Sequence, residues 1–318
     1  MNFELRGPGG RPVAIPAWGN LPVELMAAVA GVKPVVHAWI DAGDRAMMEE
    51  LCAALGLRLL VYSQGGPGSG ASRRGVMIGR EAADLAACAA VWDKPMNNPG
   101  THLGYPACCV KSFWEWGPSF SRKAAQDCVV KALRATPDPR RLPWLLNDAY
   151  YLYSRPWSRE DVERREAMVR ANPGLPMDLL NVNAWHPCSY RCPESLAKAE
   201  KTFAAMSRLL PELAAAVREA LGRPVVFWDW WRFAALDGSV DARGAARYAA
   251  VAPPFSLLEP EVRALLDRGD RVAPDGDGLA VWKGRRKLAR LPGAPVLLDF
   301  VDPARRPAVS ARPAPKRR

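Results

Sequence analysis

Two short stretches of this chain concentrate the side chains that bind soft metals. His102-Leu-Gly-Tyr-Pro-Ala-Cys108-Cys109 and His186-Pro-Cys188-Ser-Tyr-Arg-Cys192 hold four of the seven cysteines and two of the three histidines in 318 residues. Thiolates and imidazoles are the ligands of zinc, copper and iron–sulfur clusters. If the stretches meet in space, they form one metal or redox site. Cys108, Cys109, Cys188 and Cys192 are then the ligand candidates. His102 and His186 are candidate catalytic groups, acting as ligands, proton donors or outer partners.

Spacing orders the cofactors. Cys188-x3-Cys192 comes close to a zinc knuckle, whereas the vicinal pair Cys108-Cys109 does not. Successive helical side chains diverge by about 100°, so a single ion suits both members of that pair poorly. An iron–sulfur cluster, a [4Fe–4S] cubane, therefore ranks first, a zinc ion second and a thiol redox centre third. Three bound cysteines would leave one iron open for Lewis-acid or sulfur-transfer chemistry, and four would favour electron transfer. The leading expectation is an iron–sulfur enzyme of a biosynthetic or modification pathway, an oxidoreductase or a sulfurtransferase. The alternative from another class is a zinc-stapled, non-enzymatic binding module. Cys52, Cys88 and Cys128 stand in apolar helical stretches without a neighbouring Cys or His and are expected in the core. His37 is mid-strand and read the same way.

Both cysteine stretches abut helix starts. Pro106 and Pro193 suit a first helical turn, where the exposed N–H groups and the helix dipole favour thiolates. Upstream, residues 1–92 read as a small α/β unit. Pro34–Ile40 is a strand, Asp44 caps a helix through Leu55, Gly56 ends it, and Leu57–Tyr62 is a second strand. Gln64–Gly75 is a Gly-rich loop without a Walker signature, Val76–Ile78 a short strand and Arg80–Trp92 an Ala-rich helix. Strand–helix–strand alternation predicts a parallel or mixed sheet. Residues 93–222 read as mostly helical and carry the metal site, with helices over 121–135, 158–171, 193–210 and 211–221 and an extended piece over 179–185. Residues 223–302 are a mixed α/β region, with a strand over 225–231, a helix over 260–268, a tight turn at Asp275–Gly278 and a last strand over 296–300. The class is α/β (α+β).

The double pattern Leu103-Gly-Tyr-Pro-Ala-Cys108-Cys109-Val-Lys-Ser-Phe113 and His186-Pro-Cys188-Ser-Tyr-Arg-Cys192-Pro-Glu-Ser195 resembles a prokaryotic family of uncharacterised function. That family carries GYPxCCxxxF and HxPCSxxC. Here His186 is followed directly by Pro-Cys, and three residues separate Cys188 from Cys192. The resemblance covers roughly residues 75–200. It implies that the four cysteines form one site and implies no particular activity.

Composition bounds the rest. An apolar fraction of 49% and a charged fraction of 24% are those of a folded globular protein, and 30 prolines break helices often. Of the net charge of +11, the segment from Lys283 to Arg318 supplies +9, leaving +2 for the preceding residues. Residues 303–318, PARRPAVSARPAPKRR, read as a disordered basic tail able to contact nucleic acid or an acidic partner. No apolar run reaches the roughly 20 residues of a membrane span. A cytoplasmic setting with reduced cysteines is the expectation. Aromatic runs at Phe113–Trp116, Tyr150–Tyr153 and Phe227–Trp231 belong to core packing or to shielding of the site. Asp148, Asp229 and Glu115 lie among them as candidate acids or bases.

Overall fold

Runs such as Val35–Ile40 and Val225–Trp228, rich in β-branched and aromatic residues, form strands, and Ala-rich or 3.6-periodic runs form helices. The computed structural model describes residues 3–66, 70–92, 99–116, 122–150, 159–172, 179–180, 182–229, 231–255 and 258–304. They build two compact units with the expected α+β character. The first comprises Met1–Glu115, Val182–Cys188 and Cys192–Ala215, and the second Trp116–Asn181, Ser189–Arg191 and Ala216–Arg318. Residues 93–222 thus contribute to both.

The first unit opens with the antiparallel hairpin β1 (Phe3–Arg6) and β2 (Pro12–Ile15). Helix α1 (Leu21–Val29) is buried from Leu21 through Ala28. Its one charged residue, Glu24, is neutralised by an ion pair with buried Lys33. Strand β3 (Val35–Asp41), helix α2 (Arg45–Ala54), β4 (Arg58–Gly66) and β5 (Gly70–Gly79) follow, with sheet order β3-β5-β4. Both pairings are antiparallel, with Ile78 of β5 opposite Val36 on one side and Leu59 on the other. The parallel or mixed sheet expected here is therefore corrected. The α2 crossover does leave β3 and β4 pointing the same way, but β5 comes between them. Its Val76, Met77 and Ile78 are fully buried at 0% exposure, so the central position goes to the strand whose side chains gain most from it.

The expected loop over Gln64–Gly75 is also corrected, since β4 runs to Gly66 and β5 resumes at Gly70. Gly75 serves close packing: a Cβ there would lie 2.7 Å from the Tyr62 ring. Helix α3 (Ala82–Trp92) then packs on β5, and Val35, Met77, Leu85, Cys88 and Leu103 form a core cluster. Helix α4 (Ala107–Glu115) carries the first cysteine pair.

In the second unit come α5 (Arg122–Arg134), β6 (Leu142–Pro143) and α6 (Arg159–Ala171). Among the described residues of 179–185 no strand forms. Val182 and Asn183 are both buried there. Helix α7 (Pro193–Leu209) belongs to the first unit and packs there against α1. Leu210 leaves helical geometry at φ −138° and α8 (Pro211–Leu221) starts afresh on a proline.

The C-terminal part is a sheet of β7 (Val225–Asp229), β8 (Arg232–Val240), β9 (Ala246–Phe255), β10 (Arg271–Asp275), β11 (Gly278–Lys283), β12 (Arg286–Arg290) and β13 (Val296–Leu298). Its order is β12-β11-β10-β9-β8-β7-β13, and every pairing is antiparallel. Helix α9 (Pro260–Arg268) lays Val262, Leu265 and Leu266 on the face built by Val226, Ala234, Val272 and Val281. A last strand, β14 (Phe300–Val301), pairs in parallel with β6.

Asn97, Asn98, Gly117 and Pro118, the aromatics Tyr151, Tyr153 and Trp230, and tail residues 305–318 lie outside the described residues. No helix among the described residues is long and apolar enough to cross a membrane.

Candidate metal centre

The four clustered cysteines meet. The sulfurs of Cys108, Cys109, Cys188 and Cys192 all lie within 4.8 Å of one another. Cys108 and Cys109 come from the first turn of α4, and Cys192 is the N-cap of α7, as the two prolines predict. All four belong to the first unit.

A compact turn sets the entry to α4. The Tyr105 N–H donates to the Gly100 carbonyl at 2.8 Å, and the Gly104 N–H donates to the Thr101 carbonyl at 2.9 Å. Gly104 takes φ +77°, the left-handed position that closes such a turn. The chain reverses there, and Pro106 then accepts the first α4 bonds from the Cys109 and Val110 N–H groups. His102 is half-buried within this turn. At the other end, Pro193 occupies the first turn of α7, where its missing N–H costs nothing. The free N–H of Ser195 donates to the Cys192 sulfur at 3.4 Å.

The vicinal pair does converge. Cys108 and Cys109 sulfurs are 3.9 Å apart, Cys108 and Cys192 sulfurs 3.5 Å, and Cys109 and Cys192 sulfurs 3.8 Å. The divergence expected of successive helical residues is overcome at the helix start. There the side chains can fold toward the open end of the helix.

Hydrogen bonds support the sulfurs from outside. The Cys188 backbone N–H donates to the Cys109 sulfur at 3.3 Å. The Ser195 Oγ lies 3.0 Å from the same sulfur and accepts from the Trp185 Nε1–H at 2.9 Å. The Cys108 thiol donates to the Glu194 carboxylate at 3.7 Å. Trp185 and Tyr105 pack on the cysteines, with ring centroids 5.5 Å apart. Cys109 and Cys192 are only 1% and 3% exposed, whereas Cys108 and Cys188 keep a partly open face.

Without a metal these thiols hold their protons unevenly. Burial, together with the neighbouring sulfurs, pushes Cys108 up to about 12. Burial likewise raises Cys109, against opposing hydrogen bonds from Ser195 and the Cys188 N–H. Cys188 is raised by burial and by Cys192. For Cys192 burial acts upward, but the Ser195 N–H and hydroxyl and the thiols of Cys108 and Cys188 outweigh it, and its pKa falls below the ordinary value. Crowded, partly dry thiols of this kind release their protons to a metal far more readily than to water.

The donor set fits a metal. Four soft sulfurs converge with N–H groups aimed at two of them and a helix N-terminus behind a third, an arrangement that disperses the negative charge of thiolates. Neither histidine belongs to the converging group. His186 is 6% exposed and stacks on Phe113 with ring centroids 6.3 Å apart. The remaining cysteines are core residues: burial raises Cys52 to about 12 and Cys88 to about 11, and Cys128 is 1% exposed.

The candidate carboxylates have other partners. Asp148 accepts from the Tyr190 hydroxyl at 2.6 Å, Asp229 pairs with Arg232 at 2.8 Å, and Glu115 faces Lys111 at the surface. Sequence reasoning did not single out Ser195, Trp185 or Glu194. The available signal was Cys192-Pro-Glu-Ser195, which reads as an N-cap followed by a proline first turn. Comparison with family models, curated proteins and solved structures finds no match.

Proposed function

We propose that Cys108, Cys109, Cys188 and Cys192 hold a single metal ion as four thiolates, zinc before other metals, and that the ion is a structural staple of the first unit. The observation that carries this reading is the sulfur spacing. Among Cys108, Cys109 and Cys192 the separations of 3.5, 3.8 and 3.9 Å surround the roughly 3.8 Å edge of a tetrahedron with zinc–sulfur bonds of about 2.3 Å, and the Cys188 sulfur lies within 4.8 Å of all three. A [4Fe–4S] cubane holds its cysteine sulfurs about 6 Å apart, beyond the 4.8 Å limit of this group. Four protein thiolates leave no open position, which is the mark of a structural zinc site. Bound there, the ion would supply cross-linking and charge compensation. The chain's own part is to aim the sulfurs and to exclude water with Trp185 and Tyr105.

The iron–sulfur enzyme is the second reading. The N–H donors at 3.3 and 3.4 Å to the Cys109 and Cys192 sulfurs favour it, because such bonds also stabilise clusters. It requires the four sulfurs to spread. In the zinc reading His102 and His186 stand outside the ligand set, and the basic tail is the means of contact with nucleic acid or an acidic partner.

Anaerobic purification with metal analysis and a visible spectrum separates the two. A colourless protein with one zinc per chain is expected, and it should lose that zinc on Cys→Ala at any of the four positions but keep it on Cys→Ala at 52, 88 or 128. A brown protein absorbing near about 400 nm, with iron and acid-labile sulfide, would overturn the zinc reading.

A further inference from the structure

Helix α7 bears a second feature that the metal reading does not use. A cleft of about 550 Å³ lies between the end of α1 and one face of α7, within the first unit. That is the size of a site for a small organic molecule. Its α7 wall carries Glu194, Lys198, Lys201 and Arg208, spaced so that one helix face presents them all, with alanines between that leave the space open. Its other wall is the Ala30–Val32 turn.

The charges are unbalanced. Three cations face one carboxylate, and that carboxylate accepts from the Cys108 thiol at 3.7 Å. Lys198 is half-buried, and the charges of Lys33 and Lys201 bear on it. Burial, then these two cations, hold its ammonium below the ordinary lysine value. Lys33 already has Glu24 as its counter-ion. Like charges crowded beside a partly dry cleft repel one another, and a bound anion would relieve that repulsion.

We propose that this cleft binds a small phosphate-bearing molecule, its phosphate held by Lys198 and Lys201 and its remainder extending along α7 past the alanines. Three cations against Glu194 leave two positive charges, which matches the near-dianionic charge of a phosphate monoester at neutral pH. Lys198 and Lys201 are one turn apart and can close on one phosphate. Arg208 is about 10 Å further along the helix, in reach of a second acidic group. Glu194 joins the cleft to the cysteine group, so the bound molecule lies beside the metal centre. The proposal does not rest on which metal that centre holds.

The test is calorimetric titration of the full-length, metal-loaded protein with inorganic phosphate and pyrophosphate, with acetate as the monovalent control. Saturable binding of pyrophosphate is expected, tighter than phosphate and absent for acetate, together with a rise in the unfolding temperature. Lys201→Glu, on the exposed side of α7, should weaken pyrophosphate at least about tenfold with metal content unchanged and the unfolding temperature of the ligand-free protein not lowered. Lys198→Met should weaken it comparably. No saturable heat at millimolar pyrophosphate, or equal affinity in wild type and Lys201→Glu, overturns the proposal. A single-stranded oligonucleotide that binds more tightly than pyrophosphate and is lost with Lys201→Glu also overturns it, in favour of a nucleic-acid surface. Metal analysis of the same samples reports on the zinc reading independently.

Discussion

The Ser195 hydroxyl stands between Trp185 and Cys109, accepting from the indole Nε1–H at 2.9 Å and lying 3.0 Å from the sulfur. An indole N–H can only donate, so the hydroxyl's own proton is free to point at the sulfur. Indole, hydroxyl and thiolate thus form a directed chain that favours the ionised sulfur.

Ser195→Ala breaks that chain at two points. The Trp185 N–H loses its acceptor in a buried setting, and Cys109 loses a donor. We expect a loss of about 1–3 kcal/mol in stability and a fall in metal affinity of about 10–100-fold. Chelator competition measures the second effect. Unchanged affinity would sink the idea that the hydroxyl supports the metal-binding form.

Metal uptake must release protons. Cys108, Cys109 and Cys188 are all raised above the ordinary thiol value of 9.0 in the metal-free protein. They are therefore protonated at neutral pH and must ionise to bind. Zinc added to metal-free protein in weak buffer should release at least three protons per ion from these thiols. Affinity should fall steeply as pH drops. A release of one proton or none would show that these cysteines are not the ligands.

The core thiols have a separate signature at high pH. Cys52 and Cys88 rise from 9.0 to about 12 and about 11 on folding, chiefly because burial disfavours the thiolate. The folded state holds their protons more tightly than the unfolded one. Their contribution is thus complete below pH 9 and is lost as pH climbs through those values. Urea midpoints should decline from about pH 9 upward, and Cys88→Val should flatten the decline. An identical slope in the variant would rule Cys88 out as a source.

Gly104 is constrained twice. Its φ is +77°, and a Cβ would lie 2.6 Å from the Pro34 Cδ and 3.1 Å from the Lys198 Nζ. Gly104→Ala should lose more than about 1 kcal/mol and should also disturb Lys198, weakening pyrophosphate binding in the cleft. Thermal unfolding and the phosphate titration check both. An alanine variant as stable as wild type would contradict the packing.

Local signals reached part of this fold. Helices α2, α7 and α9 were legible because apolar residues recur at helical spacing and the prolines at 193 and 260 mark two of the starts, whereas Asp44 stands at the N-cap of α2 without making the expected side-chain capping bond. Helix α1 left no such mark: Leu21 through Ala28 are all buried, so no polar face betrays a period. Strands β8 and β9 were hidden as well. Ala234, Ala235 and Ala246 are weak strand formers, and it is pairing between strands that holds them. Antiparallel β5 was misjudged because its partners come from both sides of a crossover, a choice made by burial and not by its own residues. At the site, clustering in the chain announced the four cysteines. Cys192-Pro-Glu-Ser195 announces the cap and so the Ser195 N–H, but nothing in the spacing of Trp185 or of the Ser195 hydroxyl points to Cys109, and only folding brings them to that sulfur.

The ligands are far apart along the chain, with Cys109 and Cys188 separated by 79 positions. An ion gripping both would tie a loop of about 80 residues, which in the unfolded chain removes freedom worth about 4.5 kcal/mol by the loop-closure relation for cross-links. That loop encloses residues 116–181, which fold with the second unit. A centre built from side chains of one unit would thereby restrict the unfolded excursions of a segment belonging to the other, through covalent connection alone. Demetallation should accordingly accelerate protease cleavage within 116–181 as well as around the cysteines.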